Sequence, residues 1–380
     1  MIPRLPQFVY FSLLFASAVF AQTPTPSDAQ ALEQSGKLAE AAEVWRGVVA
    51  KNPRDAAAWA SLGVDLSRLQ QYQAAAQAYR KALALNSSLP AIQLNLGLAE
   101  FKSNNLPAAI PPLRAALAAD PRNMQARTLL GLACYGTGKF SEAAKHLAAA
   151  SAADPANAEL HNVLAQSCLS AKQYHCALNE FSWILKRTPD SAAAHMLLGE
   201  ALDGLGKTPE AIQEFQKAVS ADPKAPDLHF GLGYLFWKMR DYDQAAQALE
   251  AELSVAPSNA QALAYLGDSE MHRGNSEKAL PLLQKAVSLQ GNLRLAYVDI
   301  GAILTQQKQY PDALAALRRA ERLDSQQPDV HYRLGRLYQV MGETEKAKIE
   351  LAQVQQLQQK AEESIADKMS PRPASFEDKP

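Results

Sequence analysis

Apolar and small residues recur along the chain with a period of 34 residues. Within each period, large apolar positions separated by three and four residues predict two amphipathic helices, which a short polar turn connects. No stretch shows a sustained alternation of β-branched residues, so the pattern predicts no β-strand. The hydrophobic pattern therefore predicts a tandem array of helix-turn-helix repeats.

A Leu-Gly or Ile-Gly pair at the seventh and eighth positions marks each repeat. Glycine has no Cβ, which lets the second helix of a repeat approach the first closely. A proline near position 32 ends the second helix in many repeats, because proline lacks the N–H that a continuing helix needs. The pairs are Leu62-Gly63, Leu96-Gly97, Leu130-Gly131, Leu198-Gly199, Leu232-Gly233, Leu266-Gly267, Ile300-Gly301 and Leu334-Gly335, and Leu164-Ala165 fills the one gap in register.

These residues resemble the tetratricopeptide repeat pattern, W-x2-L-G-x2-Y followed by A-x3-F and a closing P. The resemblance covers residues 26–359. His161, His195, His229 and His331 stand where the pattern has Trp, which is a mild departure. The repeat that begins at residue 56 shows the pattern well, with Trp59, Leu62, Gly63, Ala75 and Tyr79.

The resemblance implies an all-α fold, a right-handed α-solenoid (superhelix) of helix-turn-helix repeats. We expect nine tandem repeats over residues 56–361, preceded by a lead-in and a degenerate first repeat over residues 22–55. Residues 362–380 are expected to form the end of a capping helix and a polar, Pro-rich, disordered tail. Each repeat would bury its faces against its neighbours, so stability would be a nearest-neighbour sum.

The first 21 residues have the pattern of a secretory signal peptide. Arg4 supplies a positive start, residues 8–21 are almost wholly apolar, and Ala21 suits cleavage before Gln22. The apolar run is short for a spanning helix, which needs about 20 residues. We therefore expect an exported protein, periplasmic or extracellular, with no membrane span after cleavage. The alternative is a chain anchored by an uncleaved N-terminal helix.

The charge balance disfavours one class of partner, and the cysteines allow more than one state. With 38 basic and 39 acidic residues, the net charge of −1 argues against a nucleic-acid partner, which would require a basic face. The three cysteines, Cys134, Cys168 and Cys176, are predicted first to be small core residues. Disulfides between Cys134 and Cys168, or between Cys168 and Cys176, remain open alternatives.

No residue set predicts catalysis, a cofactor or a metal. Residues 201–208 fit a loose phosphate-loop pattern, but they follow a predicted helix where that motif needs a strand. His161, His195 and His229 occupy one equivalent position in successive repeats. Packed helices lie about 8–10 Å apart, so these imidazoles are too widely spaced to share a zinc ion, and we expect them to be core or half-buried. The protein is predicted not to be an enzyme.

The family resemblance places partner binding on the first helix of each repeat, chiefly at positions two, five, nine and twelve. Here these positions give Phe230, Tyr234 and Trp237, whose spacing of four and three places them on one helix face. The competing interpretation is that these side chains pack against adjacent helices. The other predicted groove residues are Met196, Glu200, Asp203, Asp268, Met271, Phe101 and Tyr135.

The predicted function is a scaffold or adaptor that binds protein or peptide segments in a concave groove, in the cell envelope or outside the cell. Acidic residues beside the aromatic stripe favour a partner that carries Lys or Arg. The fifth positions hold no Lys or Arg, so a clamp for a chaperone's terminal carboxylate is not expected. The alternative is a non-catalytic accessory subunit that recruits substrate to a secretion, pilus-assembly or glycosyltransferase complex.

Overall fold

A computed structural model describes residues 24–369, and every regular element in this range is an α-helix. The predicted signal peptide and the end of the predicted tail lie outside the described residues. None of the described helices is both long enough and apolar enough to cross a lipid bilayer.

Consecutive helices form hairpins in two compact parts of the chain, one up to Pro155 and one from Ala156. In each hairpin the first helix is called helix A and the second helix B. The N-terminal part contains α1 (Pro26–Gln34), α2 (Leu38–Lys51), α3 (Ala56–Arg68), α4 (Tyr72–Leu85), α5 (Pro90–Lys102), α6 (Leu106–Ala119), α7 (Met124–Gly136) and α8 (Phe140–Ala153). The C-terminal part contains α9 (Ala158–Ser170), α10 (Tyr174–Leu185), α11 (Ala192–Gly204), α12 (Thr208–Ala221), α13 (Leu228–Lys238), α14 (Tyr242–Val255), α15 (Ala260–His272), α16 (Ser276–Leu289), α17 (Arg294–Gln306), α18 (Tyr310–Leu323), α19 (Pro328–Val340) and α20 (Thr344–Met369).

Helices A and B approach closely at the glycine in position eight. A Cβ built on Gly63 would lie 2.5 Å from the ring of Tyr79, and one on Gly233 would lie 2.7 Å from Leu249 Cγ. The residue at position 24 of each repeat, which lies on helix B, therefore fills the space over the glycine of its own repeat. This contact explains why a glycine and a bulky apolar residue recur at a fixed separation in the sequence.

The turn between helices A and B requires a left-handed backbone at position 15. At Lys308, φ is 61°, and the N–H of the following Gln309 donates to the Leu304 carbonyl at 2.9 Å, which closes a Schellman motif. Glycine adopts this conformation without a steric penalty, whereas other residues pay for it. The residues in this position are Gln70, Asn104, Gly138, Lys172, Gly206, Arg240, Gly274, Lys308 and Gly342.

The residue at position four closes the loop that precedes its own helix. In five repeats it donates a side-chain hydrogen bond to the backbone carbonyl six residues earlier, which explains why histidine can replace the tryptophan of the repeat pattern. The bonds run from Trp59 to Pro53 (3.0 Å), Arg127 to Pro121 (2.6 Å), His195 to Pro189 (2.8 Å), His229 to Pro223 (3.0 Å) and His331 to Ser325 (3.0 Å).

Two of the three cysteines are joined, which corrects the prediction that all three are thiols of the core. Cys168 on α9 forms a disulfide with Cys176 on α10, with their Cα atoms 5.8 Å apart. Helices A and B face each other near their shared turn, so positions 11 and 19 of this repeat come within bonding distance. Cys134 is a free and buried thiol, and burial raises its pKa to about 11.

The left-handed turn yields a stability prediction. Lys308→Gly removes the steric penalty at φ 61° but makes the unfolded chain more flexible, so we expect a net gain of about 0.5–1 kcal/mol in the free energy of unfolding. Gly274→Ala, at φ 84°, should lose about 1 kcal/mol or more. Urea unfolding followed by circular dichroism measures both variants. A destabilised Lys308→Gly would contradict this account of the turn.

Candidate functional site

The predicted aromatic stripe lies on α13 and is half-buried. Tyr234 stacks on Trp237 with their ring centroids 5.9 Å apart. Tyr265 on the next A helix, α15, joins the three rings into one cluster, with centroid distances of 6.0 Å to Phe230, 5.4 Å to Tyr234 and 4.8 Å to Trp237. The cluster packs on the core of α12–α15, and each of its four side chains is partly exposed.

Two predicted groove residues, Asp268 and Met271, lie between hairpins. Asp268 is only 3% exposed, which differs from the prediction that it presents a charge to a partner. Its carboxylate accepts a hydrogen bond from the Trp237 indole and lies against the buried carboxyl of Asp299. Met271 packs against the core cluster of α15–α19. The buried carboxylate of Asp268 therefore fixes the orientation of the Trp237 indole.

A cavity of about 580 Å³ adjoins the stripe and contains half of the predicted groove residues. It opens where α11 and α13 approach each other less closely than α13 and α15 do. Phe215 of α12 forms part of its floor, and a Cβ on Gly231 would lie 2.2 Å from the Phe215 ring. The lining residues are Met196, Glu200, Asp203, Phe215, Pro226, Asp227, Phe230, Gly231, Tyr234, Leu235 and Gln261.

A local irregularity shapes one wall of this cavity. Helix α13 begins at Leu228, two residues later in its repeat than the A helices α3 to α11 and α15 to α19, and the Asp227 that precedes it is left-handed at φ 67°. The wholly buried Glu252 of α14 accepts hydrogen bonds from the backbone N–H groups of Asp227 (3.2 Å) and Phe230 (3.1 Å). Asn259 donates a third bond to Glu252 at 3.2 Å. The irregular turn is therefore fixed from inside the protein.

The carboxylates that line the cavity differ in their partners. Asp203 forms an ion pair with Lys238 at 2.7 Å and accepts a hydrogen bond from the Thr208 hydroxyl at 2.8 Å. Glu200 is exposed and has no hydrogen bond or ion pair to any described residue, and partial desolvation of its carboxyl raises its pKa. A carboxylate without a hydrogen bond or ion pair inside the protein is available to bind a ligand.

The sequence comparison identifies the family. A tetratricopeptide repeat family model matches residues 28–90, 94–158, 128–175, 164–226 and 230–292. The chain belongs to the tetratricopeptide repeat family. Further models described as tetratricopeptide or TPR repeats match residues 204–251, 301–342 and 328–360. No curated protein matches the chain.

Three solved structures illustrate what the chain is similar to. A tetratricopeptide repeat protein from Parabacteroides merdae is 19% identical, with 70% of this chain and 98% of that chain covered and a TM-score of 0.49. PilF from Pseudomonas aeruginosa is 21% identical, with 55% and 94% covered and a TM-score of 0.42. YrrB, described as a TPR protein with an unusual peptide-binding site, is 22% identical, with 50% and 98% covered and a TM-score of 0.40. At these levels the likeness concerns the fold alone.

The predicted pair in the N-terminal part lies at equivalent positions of successive tetratricopeptide repeats. Phe101 is half-buried on α5, and Tyr135 is half-buried on α7. The Tyr135 ring meets the edge of Phe140, on helix B of its own hairpin, at 5.9 Å. This contact follows the competing interpretation, in which position-12 aromatics pack within the repeat array.

The histidines at position four are core or half-buried, as predicted, and they do not share a ligand. His161 pairs with Glu180 at 2.5 Å and His195 with Glu214 at 2.6 Å, each within its own repeat. Glu321, His331 and Glu350 lie close enough to suggest a cation site. Arg318 instead pairs with Glu321 at 2.7 Å and with Glu350 at 3.2 Å, so this cluster is an ion-pair network that already contains its cation.

Reasoning from the sequence missed seven residues of the site: Phe215, Pro226, Asp227, Gly231, Leu235, Gln261 and Tyr265. Tyr265 lies at position six of its repeat, outside the positions assigned to the groove. Phe215 belongs to a helix B and reaches the cavity only because Gly231 has no side chain. The doublet Pro226-Asp227 gave no signal, because the same doublet, Pro328-Asp329, stands at the equivalent position where α19 begins regularly.

The buried carboxyl pair yields a pH prediction. Burial, reinforced by Asp268, raises the pKa of Asp299 well above its ordinary value, so the folded protein keeps a proton that the unfolded chain releases near pH 4. The contribution of Asp299 to the free energy of unfolding is fully present below about pH 4, and it is lost as the pH rises through the pKa that Asp299 has in the folded protein. We expect Asp299→Asn to lose this pH dependence and to be about 1–2 kcal/mol more stable than wild type at pH 8.5.

Urea unfolding between pH 4 and 8.5 tests this prediction. Asp324→Asn is the matched control with the opposite sign, because the Gln326 N–H lowers the pKa of Asp324 and the lost charge should cost stability above pH 4. Parallel pH profiles for wild type and Asp299→Asn would contradict the assignment.

Proposed function

We propose that this protein is a non-catalytic scaffold that holds a segment of a partner protein along the A helices of its C-terminal part. The tetratricopeptide fold supports a protein–protein interaction scaffold, and proteins of this family are generally non-catalytic. The observation that carries the proposal is the half-buried cluster of Phe230, Tyr234, Trp237 and Tyr265 beside a cavity.

Preorganisation of the rings favours binding. Protein interfaces draw much of their binding energy from a few aromatic anchors surrounded by polar groups. Here the Trp237 indole is held by Asp268 and its ring by Tyr234 and Tyr265, so little side-chain freedom is lost when a partner binds. Met196 adds an adaptable apolar contact on the opposite wall.

Tyr234→Ala tests the binding surface. We expect recovery of the partner from cells that make the protein to fall at least about tenfold, because the substitution removes a central anchor. Co-purification under crosslinking, quantified by mass spectrometry against wild type, measures the change. Tyr310→Ala is the matched control, since Tyr310 is half-buried against the core cluster of α15–α19 at the start of a helix B. Equal recovery with Tyr234→Ala and wild type would refute the surface.

We further propose that the scaffold works after export, in the cell envelope or outside the cell. The support is the N-terminal pattern of Arg4 followed by an apolar run and Ala21. The protein isolated from the envelope or medium should begin at Gln22, as N-terminal sequencing would show. Recovery from the cytoplasm with Met1 retained would contradict export, and recovery from membranes with Met1 retained would indicate the anchored form.

A further inference from the structure

The cavity between α11 and α13 has an acidic lining without a cation. Glu200, Asp203 and Asp227 line it, and none of its lining residues within the described chain is Lys, Arg or His. Lys238 neutralises Asp203 from outside the lining, with Nζ at 2.7 and 2.9 Å from the two carboxylate oxygens. Glu200 and Asp227 are left as carboxylates without an ion-pair partner among the described residues. The net charge at the cavity is therefore negative.

The start of α13 cannot serve as an anion site. Free backbone N–H groups at a helix N-terminus ordinarily attract carboxylates and phosphates. Here the buried carboxylate of Glu252 already accepts the N–H groups of Asp227 and Phe230. The protein's own acid thus occupies the N-terminus of α13, which disfavours an anionic ligand such as a terminal carboxylate at that point of the cavity.

The apolar walls suit a long side chain that ends in a positive charge. Phe230 and Tyr234 present aromatic rings to the cavity, and ring faces attract ammonium and guanidinium groups. Met196 offers carbon and sulfur surface for an aliphatic stem. The volume of about 580 Å³ lies within the range of ligand pockets.

We propose that this cavity is a receptor for one arginine or lysine side chain of the bound partner segment, with Glu200 and Asp227 as its charge partners. The inference rests on the proposed function, because the side chain belongs to the segment that the aromatic cluster holds. Since Lys238 already pairs with Asp203, the incoming cation is directed toward Glu200 and Asp227. The receptor specifies the position of a basic residue in the partner.

The direct test uses N-acetyl-L-arginine methylamide and its neutral isostere N-acetyl-L-citrulline methylamide on the full chain. The indole N–H resonance of Trp237, assigned by its absence in Trp237→Phe, reports binding because Trp237 stacks on Tyr234. The arginine compound should bind at least about tenfold more tightly than the citrulline compound, since only the first carries the charge. Equal responses would overturn the inference, as would an equally strong response to tetramethylammonium, which would indicate a general cation site.

Glu200→Gln is the decisive variant. It should weaken binding of the arginine compound at least about fivefold, whereas Glu210→Gln, an exposed acid on α12, should leave it unchanged. The fold should not suffer, because Glu200 is exposed and makes no hydrogen bond or ion pair to a described residue that the substitution would break. A melting temperature at or above that of wild type confirms this. Unchanged arginine binding in a folded Glu200→Gln would overturn the proposal.

Recovery of the partner with each variant distinguishes failure of the cation receptor from failure of the scaffold surface. If Tyr234→Ala loses the partner and Glu200→Gln keeps it at the wild-type level, the cation receptor is wrong and the scaffold function stands. If both variants keep the partner, the scaffold surface is itself wrong. Loss with both variants, together with a selective arginine response, supports both.

Discussion

The contact between a glycine on helix A and a bulky side chain on helix B sets the geometry of the hairpins. At Gly63 and Gly233 any Cβ would overlap the facing side chain, so the interhelical distance depends on the absence of one carbon atom. Each hairpin then presents the same outer faces to the next, and burial between neighbours provides the stability of a repeat array. The chemistry of the inner side chains can therefore vary without changing the fold.

The candidate site lies where this regularity is interrupted. The left-handed Asp227 precedes the late start of α13, and Pro226 and Asp227 become part of a cavity wall. Glu252 stabilises the interruption by accepting the backbone N–H groups that the missing turn leaves unpaired. Strained backbone that is held by buried contacts is a frequent property of ligand sites.

The hydrophobic period was sufficient to predict the all-α fold, because local helix propensity and nearest-neighbour packing decide it, whereas the family was predicted from the resemblance to the tetratricopeptide pattern. The same period placed Phe230, Tyr234 and Trp237 on one face of α13. It did not predict the burial of Asp268, since a carboxylate at a groove position is expected to face water. In the structure this carboxylate instead contacts the indole of Trp237 and the carboxyl of Asp299. Tyr265 and Phe215 were missed because their contacts cross between hairpins, and a pattern within one repeat carries no information on them. The sequence also left the pairing of Cys168 open.

The disulfide is in the repeat where Ala165 replaces the usual glycine, so a covalent bond joins the helix pair whose close approach the sequence supports least. Disulfides persist in oxidising surroundings and are reduced in the cytosol. The α9–α10 hairpin would therefore reach its full strength only once the chain has left a reducing compartment. In a molecule retained there, the α9–α10 hairpin would lack its disulfide and be less stable, while the rest of the C-terminal part would be unchanged.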